Sequence, residues 1–266
     1  KIWDSSIGWR FPNPKMAKIF PLLGMGETAE EIAAMYNISR QEQDQFALES
    51  HQKAIKAQHN KSFVDEITPI ELERKKNQSI TEVVTMQMDE CPRKDTSLEA
   101  LSKLKAVFKD GGSVTAGNSS SINDGAALLA IVSEKFLKDH QLTPLAKITG
   151  AAVAGCHPNS MGLGPIFATK KLCQKFKKKI EDFDLVELNE AFAVQSLACI
   201  KELGINPEIV NVNGGSISLG HPLGCSGARI LTTLIHQMHR KATYKQGLAT
   251  MCIGVGQGIS LSIEKC

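Results

Sequence analysis

From residue 145 onward, short apolar runs alternate with stretches of helical period. This alternation limits the C-terminal half of the chain to a layered α/β domain. Residues 145–154 read as a strand and 165–176 as a helix. The run Leu185-Val186-Glu187-Leu188 is a short strand, followed by a helix over 190–203. Val210-Asn211-Val212 reads as a strand ending in Gly214-Gly215, and 227–240 as a helix. Residues 247–252 and 258–263 read as adjacent strands around a glycine turn. No fixed-period repeat is present.

The first 26 residues are broken by Gly8, Pro12, Pro14, Pro21, Gly24 and Gly26. Thr28 followed by Glu31 is a capping-box signature, and Ser39 with Glu42 repeats it ahead of a helix reaching about residue 59. Phe46, Ala47, Ala54 and Ile55 share one face of that helix. Residues 66–70 and 81–84 are β-like, and helical spacing returns over 98–108. The Gly/Ser/Asn-rich stretch 111–121 is a loop whose small side chains let a ligand approach the backbone. The Ala- and Leu-rich run 124–132 is expected to be a buried helix or strand.

Composition narrows the class. With 42% hydrophobic and 22% charged residues in 266, the chain is expected to be soluble and globular. A net charge of +3 is too mild to argue for nucleic acid. No apolar run reaches the ~18–20 residues of a membrane span, and no signal peptide is visible. The seven cysteines are odd in number and form no CxxC pair, so neither a disulfide framework nor a metal site is expected and a reducing cytoplasmic compartment is.

Three turns carry reactive side chains: Asn189 in Asn189-Glu190-Ala191-Phe192, His221 in Gly220-His221-Pro222-Leu223-Gly224, and Cys252 in Cys252-Ile253-Gly254. A thiol and an imidazole can move protons, and a carboxamide can hold a water, as carbon–carbon chemistry on a thioester requires. Each has a plainer reading. His221 can be structural, Cys252 a small buried hydrophobe at a strand end, and Asn189 the N-cap of the next helix. A helix N-terminus beside His221 disfavours imidazolium and favours anions.

Taken in order, the segments are far more specific. Asn-Glu-Ala-Phe, then Asn211-Val212-Asn213-Gly214-Gly215 running into Gly-His-Pro-Leu-Gly-x-Ser-Gly-Ala-Arg, then Cys-Ile-Gly, resemble the thiolase family. The resemblance extends upstream through the stretch from Thr115 to Ala126, through Met161-Gly162-Leu163-Gly164-Pro165, and back to Met25-Gly26-Glu27-Thr28-Ala29-Glu30, so it covers essentially the whole chain. The opening Ile7-Gly8-Trp9-Arg10-Phe11 with Asn13-Pro14-Lys15-Met16 is similar to degradative acyl-CoA and β-ketoadipyl-CoA thiolases.

The resemblance implies a layered αβαβα fold, here a loop domain plus the C-terminal core half. It implies acyl exchange between CoA and a 3-oxoacyl-CoA by a ping-pong route through a cysteine acyl-enzyme. His221 then activates the nucleophile and donates to the thioester oxyanion, Cys252 is the acid/base cysteine, Asn189 holds an oxyanion-hole water, and Gly254 supplies a backbone N–H. Leu104, Ala116, Ser120, Met161, Ala191 and Phe192 match CoA-contacting positions, although Met161 and Phe192 can equally be core. Coenzyme A enters as substrate, with no permanently bound cofactor, and a homodimer or homotetramer is implied.

The chain also departs from the family pattern. Ser119, Ser121, Ser216 and Ser218 stand where Ala or Gly is usual, and Val255 takes the place of a glycine. No cysteine occupies the nucleophile's setting, and the chain opens on Lys1 rather than Met. The expectation is therefore the C-terminal two-thirds of a thiolase: 1–122 loop domain, 123–143 the last piece of the N-terminal core half, and 144–266 the C-terminal half. The nucleophile-bearing segment would come from outside, and the chain alone would be unstable without it. A non-catalytic CoA-binding or assembly module of the same fold is the alternative.

Overall fold

The computed structural model describes residues 9, 11–77 and 80–266. The Lys1-to-Ser6 opening, and Ile7, Gly8 and Arg10 of the degradative cue, lie outside the described residues. After a single turn, α1 (Pro14–Ala17), helix α2 spans Met25–Tyr36 and α3 spans Arg40–His59. The Ser39 box forms as read. Glu42 Oε2 accepts from Ser39 N at 2.7 Å, and Glu42 N donates to Ser39 Oγ at 3.2 Å. The Thr28 box does not form. Helix α2 starts four residues earlier because Glu27 reaches back to the Gly24 N–H at 2.6 Å, which leaves Thr28 bonding its own turn at Met25 O.

Strands β1 (Ile70–Asn77) and β2 (Ile80–Met86) form an antiparallel ribbon. Residues 66–69 precede the ribbon and are not strand. Helix α4 covers only Leu98–Ser102 of the expected 98–108, and the chain then pairs back on itself through an Ala106–Thr115 bridge. The run 124–132 carries no regular element and is exposed, with Leu128 at 89% and Ile131 at 71%. Its burial was expected from composition, but an apolar run is buried only where another element covers it. Helix α5 (Glu134–His140) follows.

The C-terminal half is the layered α/β unit. Strands β3 (Ala146–Gly155), β4 (Leu185–Leu188), β5 (Gln246–Ile253) and β6 (Gln257–Lys265) make a four-stranded sheet in the order β3-β6-β5-β4. The β4/β5 pair is parallel and the other two pairs are antiparallel. Helices α6 (Gly164–Phe176) and α7 (Ala193–Leu203) pack on one face, and α9 (Leu223–Arg240) on the other. Strand alternation sorts the core: Val186, Leu188 and Leu248 enter the α6/α7 side, while Leu185 and Ala249 enter the α9 side with Ile230, Leu234 and Met238. Val210 contributes an isolated parallel bridge to Val186 rather than the expected strand.

The N-terminal elements cover this unit from the α7 side. Helix α3 packs on α7 and on the single turn α8 (Ser216–Leu219). The loop 111–121 is held by buried Glu30 of α2, which accepts from Ser113 N at 2.9 Å and Val114 N at 2.8 Å. Asn118 braces it from within, accepting from Thr115 N at 2.8 Å and donating to Asp44 at 3.0 Å.

Candidate active site

The parallel β4/β5 pair sets the site. Leu188 pairs with Thr250. Directly after β4, Asn189 N donates to Thr250 O at 3.0 Å, so Asn189 and Cys252 lie at the same end of neighbouring strands. Ligand sites of open α/β sheets collect at this carboxyl end. Residues 189–192 form a turn before α7, and Phe192 rather than Asn189 occupies the N-cap position. The reading of Asn189 as a helix cap is therefore wrong: its side chain is free for other work.

That work is a hydrogen bond to His221. Asn189 Nδ2 lies 3.3 Å from His221 Nε2. On the other edge of the ring, Nδ1 lies 2.6 Å from Ser226 Oγ, which donates to Pro222 O at 3.0 Å. Because Ser226 spends its proton on a carbonyl, it accepts at Nδ1, so the imidazole proton sits on Nδ1 and Nε2 keeps its lone pair. Burial, with Arg229 adding to it, lowers the His221 pKa to about 4, so the ring is neutral near pH 7. The ring stands at the start of α9, where the helix field also opposes imidazolium.

The turn that delivers His221 needs its first glycine. Gly220 has φ +95°, and a β-carbon there would sit 2.5 Å from Asn123 Oδ1. That oxygen accepts the His221 N–H at 3.2 Å. Gly224, on the far side of the motif, has open space around it and carries no such constraint. A groove of about 320 Å³ runs between Asn123–Ala127 and Pro222–Cys225, beside the histidine turn.

Cys252 is buried on the α6/α7 face near the end of β5. Burial pushes its thiol up to about 12, so it is a protonated acid near pH 7. Gly254 lies in the exposed β5–β6 turn with nothing within 4 Å of where its β-carbon would be. Val255, next in that turn, has φ +70°, a conformation L side chains rarely adopt and β-branched ones least of all.

Of the residues matched to CoA contacts, Leu104 and Ala116 are exposed, Ser120 is half-buried, and Met161, Ala191 and Phe192 are buried. Ser120 donates from both N and Oγ to Ala191 O, each at 3.0 Å, which leaves the hydroxyl oxygen's lone pairs available. Phe192 stacks edge-on to Phe108. Leu104 is placed by Arg40, which donates to its carbonyl at 3.0 Å and to Leu101 O at 2.6 Å.

Several residues of the site carry no signal that reading single motifs would find. Glu190 is fully buried and accepts from Asn211 Nδ2 at 2.7 Å, Ser50 Oγ at 2.7 Å and Ile217 N at 3.2 Å. Burial raises its pKa while those donors oppose the rise. Asn123, Ser226 and Arg229 lie within the recognised motifs, but only the folded contacts give them partners. Among the described residues, no group of three or more His, Cys, Asp or Glu side chains is placed to hold a metal ion, and no helix is long and apolar enough to cross a membrane.

This fold is that of thiolases. The family model for the thiolase N-terminal domain matches residues 12–135, and that for the thiolase C-terminal domain matches 142–265. The chain belongs to the thiolase family. It is 48% identical over 267 aligned positions to the beta-ketoadipyl-CoA thiolase of Pseudomonas aeruginosa, covering 100% of this chain and 65% of that protein. The same identity and coverage hold for the 3-oxoadipyl-CoA/3-oxo-5,6-dehydrosuberyl-CoA thiolase of Escherichia coli. The crystal structure of the Bacillus anthracis acetyl-CoA acetyltransferase superposes with a TM-score of 0.88 at 42% identity, over 99% of this chain and 66% of that one. Human mitochondrial 3-ketoacyl-CoA thiolase in complex with CoA superposes at 0.84 and 43% identity, over 92% and 60%. The chain thus spans about 65% of the length of these curated bacterial relatives.

Proposed function

We propose that this chain carries the His221, Cys252 and Asn189 portion of a thiolase acyl-transfer site. The observation that supports it most directly is the Asn189–His221 contact at the carboxyl end of β4 and β5, with Cys252 on the adjoining strand. In the reaction we infer, a cysteine thiolate supplied from outside these residues attacks the 3-oxo carbon of a 3-oxoacyl-CoA. The bond between C2 and C3 breaks, and the acetyl-CoA carbanion takes the proton of the Cys252 thiol. A second CoA thiol gives its proton to Cys252 and displaces the acyl group from the enzyme. Neutral His221 accepts the nucleophile's proton at Nε2, giving up the Asn189 N–H held there in this structure, and then donates to the thioester oxyanion. A water held by Asn189 and the Gly254 N–H complete the oxyanion donors.

CoA is inferred to lie along Leu104, Ala116 and Ser120, over a floor of Met161, Ala191 and Phe192. The free lone pairs of Ser120 suit a pantetheine amide. The names of the bacterial relatives favour a 3-oxoadipyl-CoA-like substrate. A cytoplasmic homo-oligomer is inferred from the family resemblance alone. The division at 122/123 and 143/144 goes with this reading: the exposed 124–132 run is the piece of the other core half that its missing neighbours cover.

The test is complementation. The chain is mixed or co-expressed with a thiolase N-terminal segment bearing a nucleophilic cysteine, and CoA-dependent loss of a 3-oxoacyl-CoA is followed. Turnover that is lost in Cys252→Ser supports the reading, and turnover that survives Cys252→Ser rejects it. Val255 favours a second reading, a CoA-binding module without turnover, because its strained backbone sits beside Gly254. That reading predicts CoA binding with no cleavage in the complemented protein.

A further inference from the structure

Ser216 is one of the positions where this chain departs from the family pattern, and the structure gives its hydroxyl two partners. It donates to Asn189 Oδ1 at 2.6 Å and accepts from Arg229 Nη2 at 3.0 Å. We propose that Ser216 is a positioning residue for the site, passing the polarity of the Arg229 guanidinium to the Asn189 carboxamide and so fixing which end of that amide meets His221.

The argument rests on which groups can donate. A guanidinium has no lone pair to offer, so Ser216 Oγ must accept from Arg229, and its one proton goes to Asn189. Asn189 therefore turns its oxygen to Ser216 and its nitrogen to His221. An amide nitrogen only donates, so Nε2 of His221 must accept, and the ring proton stays on Nδ1 for Ser226. Ser226 ends the chain on the Pro222 carbonyl, which has no proton to give. The row Arg229–Ser216–Asn189–His221–Ser226–Pro222 thus runs in one direction and is pinned at both ends by groups that cannot reverse.

Behind it, Arg229 Nη1 lies 3.7 Å from the Glu187 carboxyl group, which is 1% exposed and too far away for a hydrogen bond. Ser216 and Asn189 are both fully buried, so water does not substitute for the missing partner if the hydroxyl is removed. Without Ser216, the carboxamide has no reason to prefer one orientation except what His221 itself imposes. The ring is then held in its tautomer from the Pro222 end alone.

This inference concerns the same residues as the acyl-transfer reading, but its test reads orientation and tautomer rather than turnover, so the two can fail separately. The full chain, in the assembly state in which it purifies, is labelled with ¹⁵N-histidine, and the ring shifts of His221 are read near pH 7. Ser226→Ala should keep the Nδ1–H form, held by the Ser216 end. Ser216→Ala combined with Ser226→Ala should raise the Nε2–H population about fivefold or more over Ser226→Ala alone. Ser216→Thr in the same background should return it. A Ser226→Ala variant that already loses the Nδ1–H form, or a double variant that keeps the Ser226→Ala ratio, overturns the proposal. Ser216→Ala alone gives a second readout, because it leaves the histidine turn intact. Exchange of the Asn189 side-chain amide protons should quicken by about tenfold, and unchanged exchange overturns the proposal.

Discussion

A β-carbon on Gly215 would lie 2.2 Å from the carboxyl carbon of Glu190, so the two residues fit only because one of them has no side chain. The Glu of Asn-Glu-Ala-Phe and the second glycine of Asn-Val-Asn-Gly-Gly are thereby a single packing unit. Gly215→Ala must push aside a buried carboxylate with three donors on it, and its expected cost is at least ~2 kcal/mol. Urea unfolding measures it; a cost below ~0.5 kcal/mol would show that the site relaxes more freely than a close-packed core.

Val255→Gly should stabilise the protein. The φ of +70° is natural for glycine and strained for valine, and the valine side chain is 48% exposed, so little burial is lost. Relief of strain, less the added chain entropy of glycine, leaves a gain of ~1 kcal/mol. A lower denaturation midpoint for the variant would refute this.

The His221 ring should resist protonation. Its pKa falls from 6.5 to about 4 on folding, so between those values the unfolded chain binds more protons than the native one. Stability therefore falls as pH drops from 6.5 toward 4, and His221→Gln should flatten that part of the profile. NMR titration showing a half-protonated His221 near pH 6.5 would contradict the expectation.

Glu187 acts in the opposite sense. Burial, opposed by Arg229, pushes its carboxyl up from 4.5 to about 8, so the native state holds a proton that the unfolded chain has released. Its contribution makes stability fall as pH rises from 4.5 toward 8, and Glu187→Gln should remove that slope. A variant whose stability keeps the same slope across this range would argue against it.

Thiol labelling should follow burial. Cys266 is exposed and Cys252 buried with its thiol pushed up to about 12, so iodoacetamide should modify Cys266 well before Cys252. Peptide mass mapping of a short exposure reads the order, and early labelling of Cys252 would place its thiolate within reach of solvent.

Local signals were legible where local chemistry decides. The Ser39–Glu42 box and the sheet strands of the C-terminal half stand where the pattern puts them, because side chains a few positions apart set them. Thr28 misled because Glu27 caps the Gly24 N–H slightly upstream and starts the helix there. The run 124–132 misled because burial is not a local property: its residues are apolar enough for a core, yet no element among the described residues covers them. The site divides the same way. Asn189, His221 and Cys252 can be found from motif order. Glu190, Ser226 and Arg229 gain their meaning only when the sheet brings 187–190 against 211–229.

Ser50 gives the clearest consequence of that assembly. It sits on the covering helix α3 and donates to Glu190, 140 positions further along the chain, while its oxygen accepts from Gly215 N and lies 2.9 Å from Ser218. One buried hydroxyl stitches the roof to the floor beneath His221. Lifting α3 would take from a buried carboxylate one of its three donors and leave Asn211 and Ile217 alone to hold it, a cost that opposes opening. The slot above the site is therefore built in advance, and the ordering cost that a mobile cover would charge at every encounter is met once, when the chain folds.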